Sequence, residues 1–139
     1  MPDFTAEVVL ADLAWAVSSP SLIATDFADD PLDVASVDSA ELIEFLGRGP
    51  SSKVGHYFEG LIHFWLERVR GFEMIAHGHQ VMDGKRTLGE LDFIFRDSAG
   101  RVNHWETAVK FYLCDAEHQV GGSHFIGPNT ADTLERKIE

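Results

Sequence analysis

One cysteine, Cys114, occurs in 139 residues. No disulfide can form within the chain, which fits a reducing cytoplasm. No apolar run approaches the roughly 20 residues that a membrane span needs. The N-terminal stretch MPDFTAEVVLADLAW lacks the early lysine or arginine of a secretory leader. Basic residues are scarce throughout: 11 Lys and Arg stand against 23 Asp and Glu, for a net charge of −12. The imbalance is concentrated early, because residues 1–50 hold ten acids and Arg48 as their sole base. With no basic patch, strong salt-dependent binding to a nucleic-acid backbone is not expected from this chain alone.

What is present is a length sufficient for one domain with a real core. The spacing predicts a short helix over Val8–Val17 and another over Ser39–Leu46, separated by the acidic, proline-containing connection TDFADDPLDVASVD. These form an acidic helical extension over 1–50, ahead of a core over 51–139. The clearest element is a helix over Ser52–Arg70. Its apolar positions Val54, Phe58, Leu61, Ile62, Trp65, Leu66 and Val69 make one stripe of period 3.6, with Ser51 or Ser52 as cap and Gly71 as stop. Glu59 falls at the border of that stripe, and Glu67 far round on the solvent side.

Three strands are expected next, over Phe72–Val81, Leu88–Arg96 and Val102–Leu113. Asp83-Gly84 suits the first turn and Gly100 the second. A short strand near HFIG follows. A helix start in NTADTLERKIE then runs to the last residue without a stop signal, so the chain reads as a fragment of a longer protein. Helices, then a three-stranded meander, give an α+β fold.

The second hairpin brings charges together. If Ser98, Ala99 and Gly100 form a three-residue loop, Asp97 pairs with Arg101 and Asp92 falls opposite Glu106. Glu90, Asp92, Glu106, Ala108 and Lys110 then share one face, and Leu91, Phe93, Phe95, Trp105, Val109 and Phe111 the other. Like charges directly opposite are destabilising. Two arrangements relieve them: a divalent cation such as Mg²⁺ between the carboxylates, or solvent exposure with Lys110 screening both acids.

A helix glutamate followed by a hairpin with Asp on one strand and Glu plus Lys on the next resembles the PD-(D/E)xK nuclease superfamily. Within it, the segments DLAWAVSSPSLI, GHYFEGLIHFWL, LGELDFIFRD, HWETAVKFYL and FIGPNTADTLERKI resemble a bacterial family catalogued as domain of unknown function 1853. The resemblance implies a restriction-endonuclease-like αβββ core and a nuclease-like hydrolase. It implies Mg²⁺ or Mn²⁺ bound by Asp92 and Glu106, with Glu59 and the carbonyl of Thr107 as further ligands. Lys110 would act near the attacking water, and nucleic acid, DNA ahead of RNA, would be the partner. One departure stands out. The superfamily places acid and lysine two apart, whereas Glu106 and Lys110 are four apart, about 13 Å rather than about 7 Å along a strand. Lys110 must therefore lean back over Ala108, or a bulge must shorten the gap.

Other readings compete. His77 and His79, with His104, suggest a weak three-histidine zinc site, although ordinary polar strand positions account for them better. Cys114 reads as a buried thiol. A catalytically inactive nuclease-fold binding module also fits the acidic composition.

Overall fold

The computed structural model describes residues 5–21, 32–47, 53–118 and 125–127. The acidic connection, the Ser51 and Ser52 caps and the C-terminal helix start fall largely or wholly outside those residues. The chain divides into two compact units, Met1–Thr107 and Ala108–Glu139. Among the described residues no helix is long and apolar enough to cross a membrane.

The first unit is α+β. Helix α1 spans Ala6–Ser18, capped by the Thr5 hydroxyl on the Val8 N–H. A single 3₁₀ turn at Val34–Ser36 precedes α2, Ser39–Gly47. The Asp38 carboxylate accepts the Ala40 and Glu41 N–H groups at the start of α2 and so serves as its cap. Helix α3 covers Val54–Phe64. Val9, Leu13 and Ala16 of α1 and Leu42 and Leu46 of α2 are buried in one core with Leu61, Ile62 and Phe64 of α3. The Tyr57 hydroxyl donates to Asp12 at 2.8 Å, tying α3 to α1. Burial and that negative acceptor both push the Tyr57 phenol far above its ordinary pKa.

The long helix is not regular to its end. After Phe64 it widens into a π turn, Trp65–Val69, closed by Arg70 N–H on the Trp65 carbonyl at 2.8 Å. Phe64, Trp65 and Leu66 are all buried. At about 100° per residue those three neighbours cover some 200° of the helix, more than one stripe holds. The periodicity identified the Trp65 and Leu66 side but not Phe64, which packs edge-on against Phe45 of α2 at 5.5 Å. Val54, placed in the stripe by spacing, is exposed, because it stands at the helix start.

Strands β1, Glu73–Asp83, and β2, Arg86–Arg96, pair antiparallel along their whole lengths, and β3, Val102–Trp105, pairs with the far end of β2. The order is β1-β2-β3. The register slips at Ile75 on β1 and again at Leu88 on β2. Each is the extra residue of a bulge, and both are exposed. The second hairpin has the expected three-residue loop. Asp97 N–H meets the Arg101 carbonyl at 3.0 Å, Gly100 takes φ +79°, and Phe93 pairs with Trp105. Asp97 organises this loop. Its buried carboxylate accepts from Ala99 N–H, from Arg101 N–H and Nε, and from Asn103 Nδ2. Desolvation alone would raise its pKa; the donors from Arg101, Asn103 and Ala99 outweigh it and hold it below the ordinary carboxylate range.

One face of the sheet is the floor of the core. Phe93 and Phe95 are fully buried. Phe72 stacks on Phe95 at 5.5 Å, and Trp105 meets Phe95 edge-on at 5.5 Å and Trp65 at 6.1 Å. The helix and its π turn therefore pack on the Phe93–Phe95–Trp105 face.

The second unit contains a two-stranded pair, β4, Leu113–Cys114, with β5, Phe125–Ile126. β5 is the short strand expected near HFIG. Cys114 is exposed, which corrects the expected buried thiol: in a two-residue strand with both residues exposed, no packed face covers it.

Candidate functional site

Asp92 and Glu106 meet at the end of β3. The ladder runs from Arg96–Val102 to Phe93–Trp105, a register that, carried one step further, sets Asp92 opposite Glu106 in keeping with the loop length. There the ladder stops. The third strand ends at Trp105 rather than Leu113, and residues 106–112 have no regular structure. The side chains supply the reason. Asp92 Oδ2 accepts the Thr107 N–H at 2.7 Å and the Thr107 hydroxyl at 3.3 Å. Glu106 Oε1 takes the Asp92 N–H in a long contact of 3.4 Å. Each carboxylate thus accepts a backbone N–H from across the hairpin. The short Asp92–Thr107 bond is charge-assisted and stronger than a neutral amide pair, whereas the Glu106 contact is long and weaker.

The exposure pattern still alternates beyond the last ladder pair. Asn103, Trp105, Thr107 and Val109 are partly covered, whereas His104, Glu106, Ala108 and Lys110 are exposed. Lys110 would share a face with the acids only on a continuous strand, and β3 ends at Trp105. Lys110 lies in the second unit.

The outer face carries one residue that the sequence assigned elsewhere. His104 pairs with Ile94, and its Nε2 lies 2.5 Å from Glu106 Oε1. His77 pairs with Phe93 and His79 with Leu91, so both belong to the inner face. A zinc site shared by His77, His79 and His104 is excluded by that division. The i, i+2 spacing of His104 and Glu106 on a strand was the available signal for their contact.

Glu59 stands on α3, partly exposed, with its carboxylate 3.4 Å from His56 Nδ1. Because α3 packs on the Phe93 face, alternation along β2 points Asp92 away from it. Among the described residues no three His, Cys, Asp or Glu side chains are grouped so as to hold a metal ion. The structure therefore brings Asp92, Glu106 and Thr107 together, and stations Glu59 across the sheet from them. Asp92 and Glu106 are two hard carboxylate donors, the donor type that a Mg²⁺-like ion takes while keeping several waters. In the hydrogen bonds above, Asp92 uses Oδ2 and Glu106 uses Oε1. The Thr107 contribution seen is its N–H and hydroxyl rather than its carbonyl.

A second polar cluster lies on the inner face. His63 of α3 packs against His77 with ring centroids 4.4 Å apart, against Phe45 at 5.1 Å and against Phe93 at 6.1 Å. Its Nε2 reaches Glu67, on the π turn, at 3.1 Å. That contact draws Glu67 off the solvent side assigned to it by the helical wheel. Burial, then the neighbouring His77, lower the His63 pKa, and Glu67 opposes them only in part. The folded state therefore binds fewer protons than the unfolded chain, whose histidine titrates near 6.5. Stability from His63 is complete above that value and is lost as pH falls. Unfolding free energy is expected to drop as pH falls below about 6.5, and His63→Leu to flatten that slope, read by urea titration at each pH. An unchanged slope would remove His63 as the cause.

The family model of a domain of unknown function, DUF1853, matches residues 11–139. The chain belongs to the DUF1853 family. No curated protein and no solved structure matches it. The family match takes in every residue of the DUF1853 chain discussed at the site, from Glu59 to Lys110, and leaves the chemistry to be argued from the residues themselves.

Proposed function

We propose that this DUF1853 chain is a metal-dependent phosphodiester hydrolase of the PD-(D/E)xK type. The observation that carries the reading is the juxtaposition of Asp92 and Glu106 at the end of β3. Two adjacent carboxylates supply hard oxygen donors of the kind that Mg²⁺ or Mn²⁺ takes. When bound, the ion would polarise a phosphoryl oxygen and lower the pKa of water. Asp92 and Glu106 would hold it and orient the scissile phosphate. Lys110, assigned by the family resemblance alone, would offset charge developing on the phosphate. Glu59 is likewise assigned by resemblance. DNA is placed ahead of RNA as substrate by the same analogy.

A second reading, a nuclease-fold binding module without catalysis, is favoured by one observation. Both carboxylates already have backbone partners in Asp92 and Thr107, so they have structural work without an ion.

A hydrolysis assay with Mn²⁺ on single- and double-stranded DNA and RNA decides between the two. Wild type should cleave, whereas Asp92→Ala and Lys110→Ala should not. Equal activity in all three would sink the hydrolase assignment, and no cleavage together with no Mn²⁺ binding would favour the binding module.

A further inference from the structure

We infer that His104 is the positioning residue for the Glu106 carboxylate, an inference that rests on the metal reading above. Glu106 follows the last ladder residue, and its side chain is 54% exposed. A glutamate in that position ordinarily samples several rotamers, and ordering it opposes cation binding. Here Oε1 is approached from two parts of the chain. His104 Nε2 comes from β3 at 2.5 Å, and the Asp92 N–H comes from β2 at 3.4 Å. Together they hold Oε1 and restrict rotation of the carboxylate.

The imidazole is suited to this. It is rigid, it stands two residues from Glu106 and so on the same face, and its ladder pairing with Ile94 anchors its backbone. A neutral ring carrying its proton on Nε2 donates the required bond, so no change of charge is invoked. Partners that orient a ligating side chain typically contribute about 10–100-fold in metal affinity.

The test is Mn²⁺ affinity of the full chain, measured by calorimetry, for wild type, His104→Gln, His104→Asn, His104→Ala and Glu106→Gln. The glutamine amide reaches about as far as Nε2, whereas the asparagine amide reaches only as far as Nδ1. His104→Ala and His104→Asn are expected to weaken binding about 10–100-fold, and His104→Gln to stay near wild type. That split separates positioning from a general effect of altering the strand. Wild-type affinity in His104→Ala, with loss in Glu106→Gln, would overturn the role of His104 and leave the metal reading standing. A wild-type chain that binds no Mn²⁺ would overturn both.

Discussion

Replacing Asp92 with asparagine is expected to lower Mn²⁺-dependent phosphodiester hydrolysis by about 100-fold or more, while the fold persists. The asymmetry comes from the two tasks of one side chain. Structurally, Asp92 Oδ2 accepts the Thr107 N–H and hydroxyl, and an asparagine carbonyl accepts the same bonds. Chemically, the proposed role needs a negative charge against a divalent ion, which asparagine does not carry. A single charge-stabilising contact in a transition state is worth about 10²–10³ in rate. Asp92→Ala is a blunter variant, because it also strands the Thr107 N–H. Steady-state rates paired with thermal unfolding check the prediction. Wild-type activity in Asp92→Asn would remove Asp92 from the chemistry, whereas loss of activity together with loss of the folded state would show that its structural bonds dominate.

Phe93→Ala is expected to cost about 3–5 kcal/mol of unfolding free energy. Phe93 has no exposed surface, stacks on His77 at 5.0 Å and meets His63 edge-on at 6.1 Å. Truncation removes the floor on which α3 rests and leaves a cavity between helix and sheet. Against a typical total of about 5–15 kcal/mol for a domain, a chain so altered is close to unfolding. Leu88→Ala is the control. Leu88 is 59% exposed at a bulge, and a surface change of this kind stays within about 0.5 kcal/mol. Urea unfolding of both variants tests the prediction. A cost below about 1 kcal/mol for Phe93→Ala would show that this face is not the core.

The hairpin register was legible because it depends on local chemistry. A three-residue loop with glycine at its left-handed position sets the pairing, and the alternation of Phe93 and Phe95 with Asp92 and Ile94 sets which face is buried. β3 is shorter than its local chemistry predicts. Residues 106–113 have the composition of a strand, and composition carries no record of competition for backbone N–H groups. Only the placement of Asp92 beside Thr107 reveals that side chains have taken the ladder's place. His104 and His63 were opaque for a related reason. A histidine's role is set by what lies opposite it, and strand pairing puts His77 and His104, read together as a zinc site from the sequence, on opposite faces.

The sequence by itself determined the α+β order, the amphipathic helix, the turn at Gly100 and the meeting of Asp92 with Glu106. All of these follow from period, turn geometry and pairing between near neighbours in the chain. Tertiary structure decided the rest. The π turn at Trp65–Val69 follows from a core that buries Phe64, Trp65 and Leu66 together. Glu59 stands on the helix side of the sheet because α3 packs on Phe93. β3 ends at Trp105 because two carboxylates, forced opposite each other, are more stable on backbone N–H groups than facing one another.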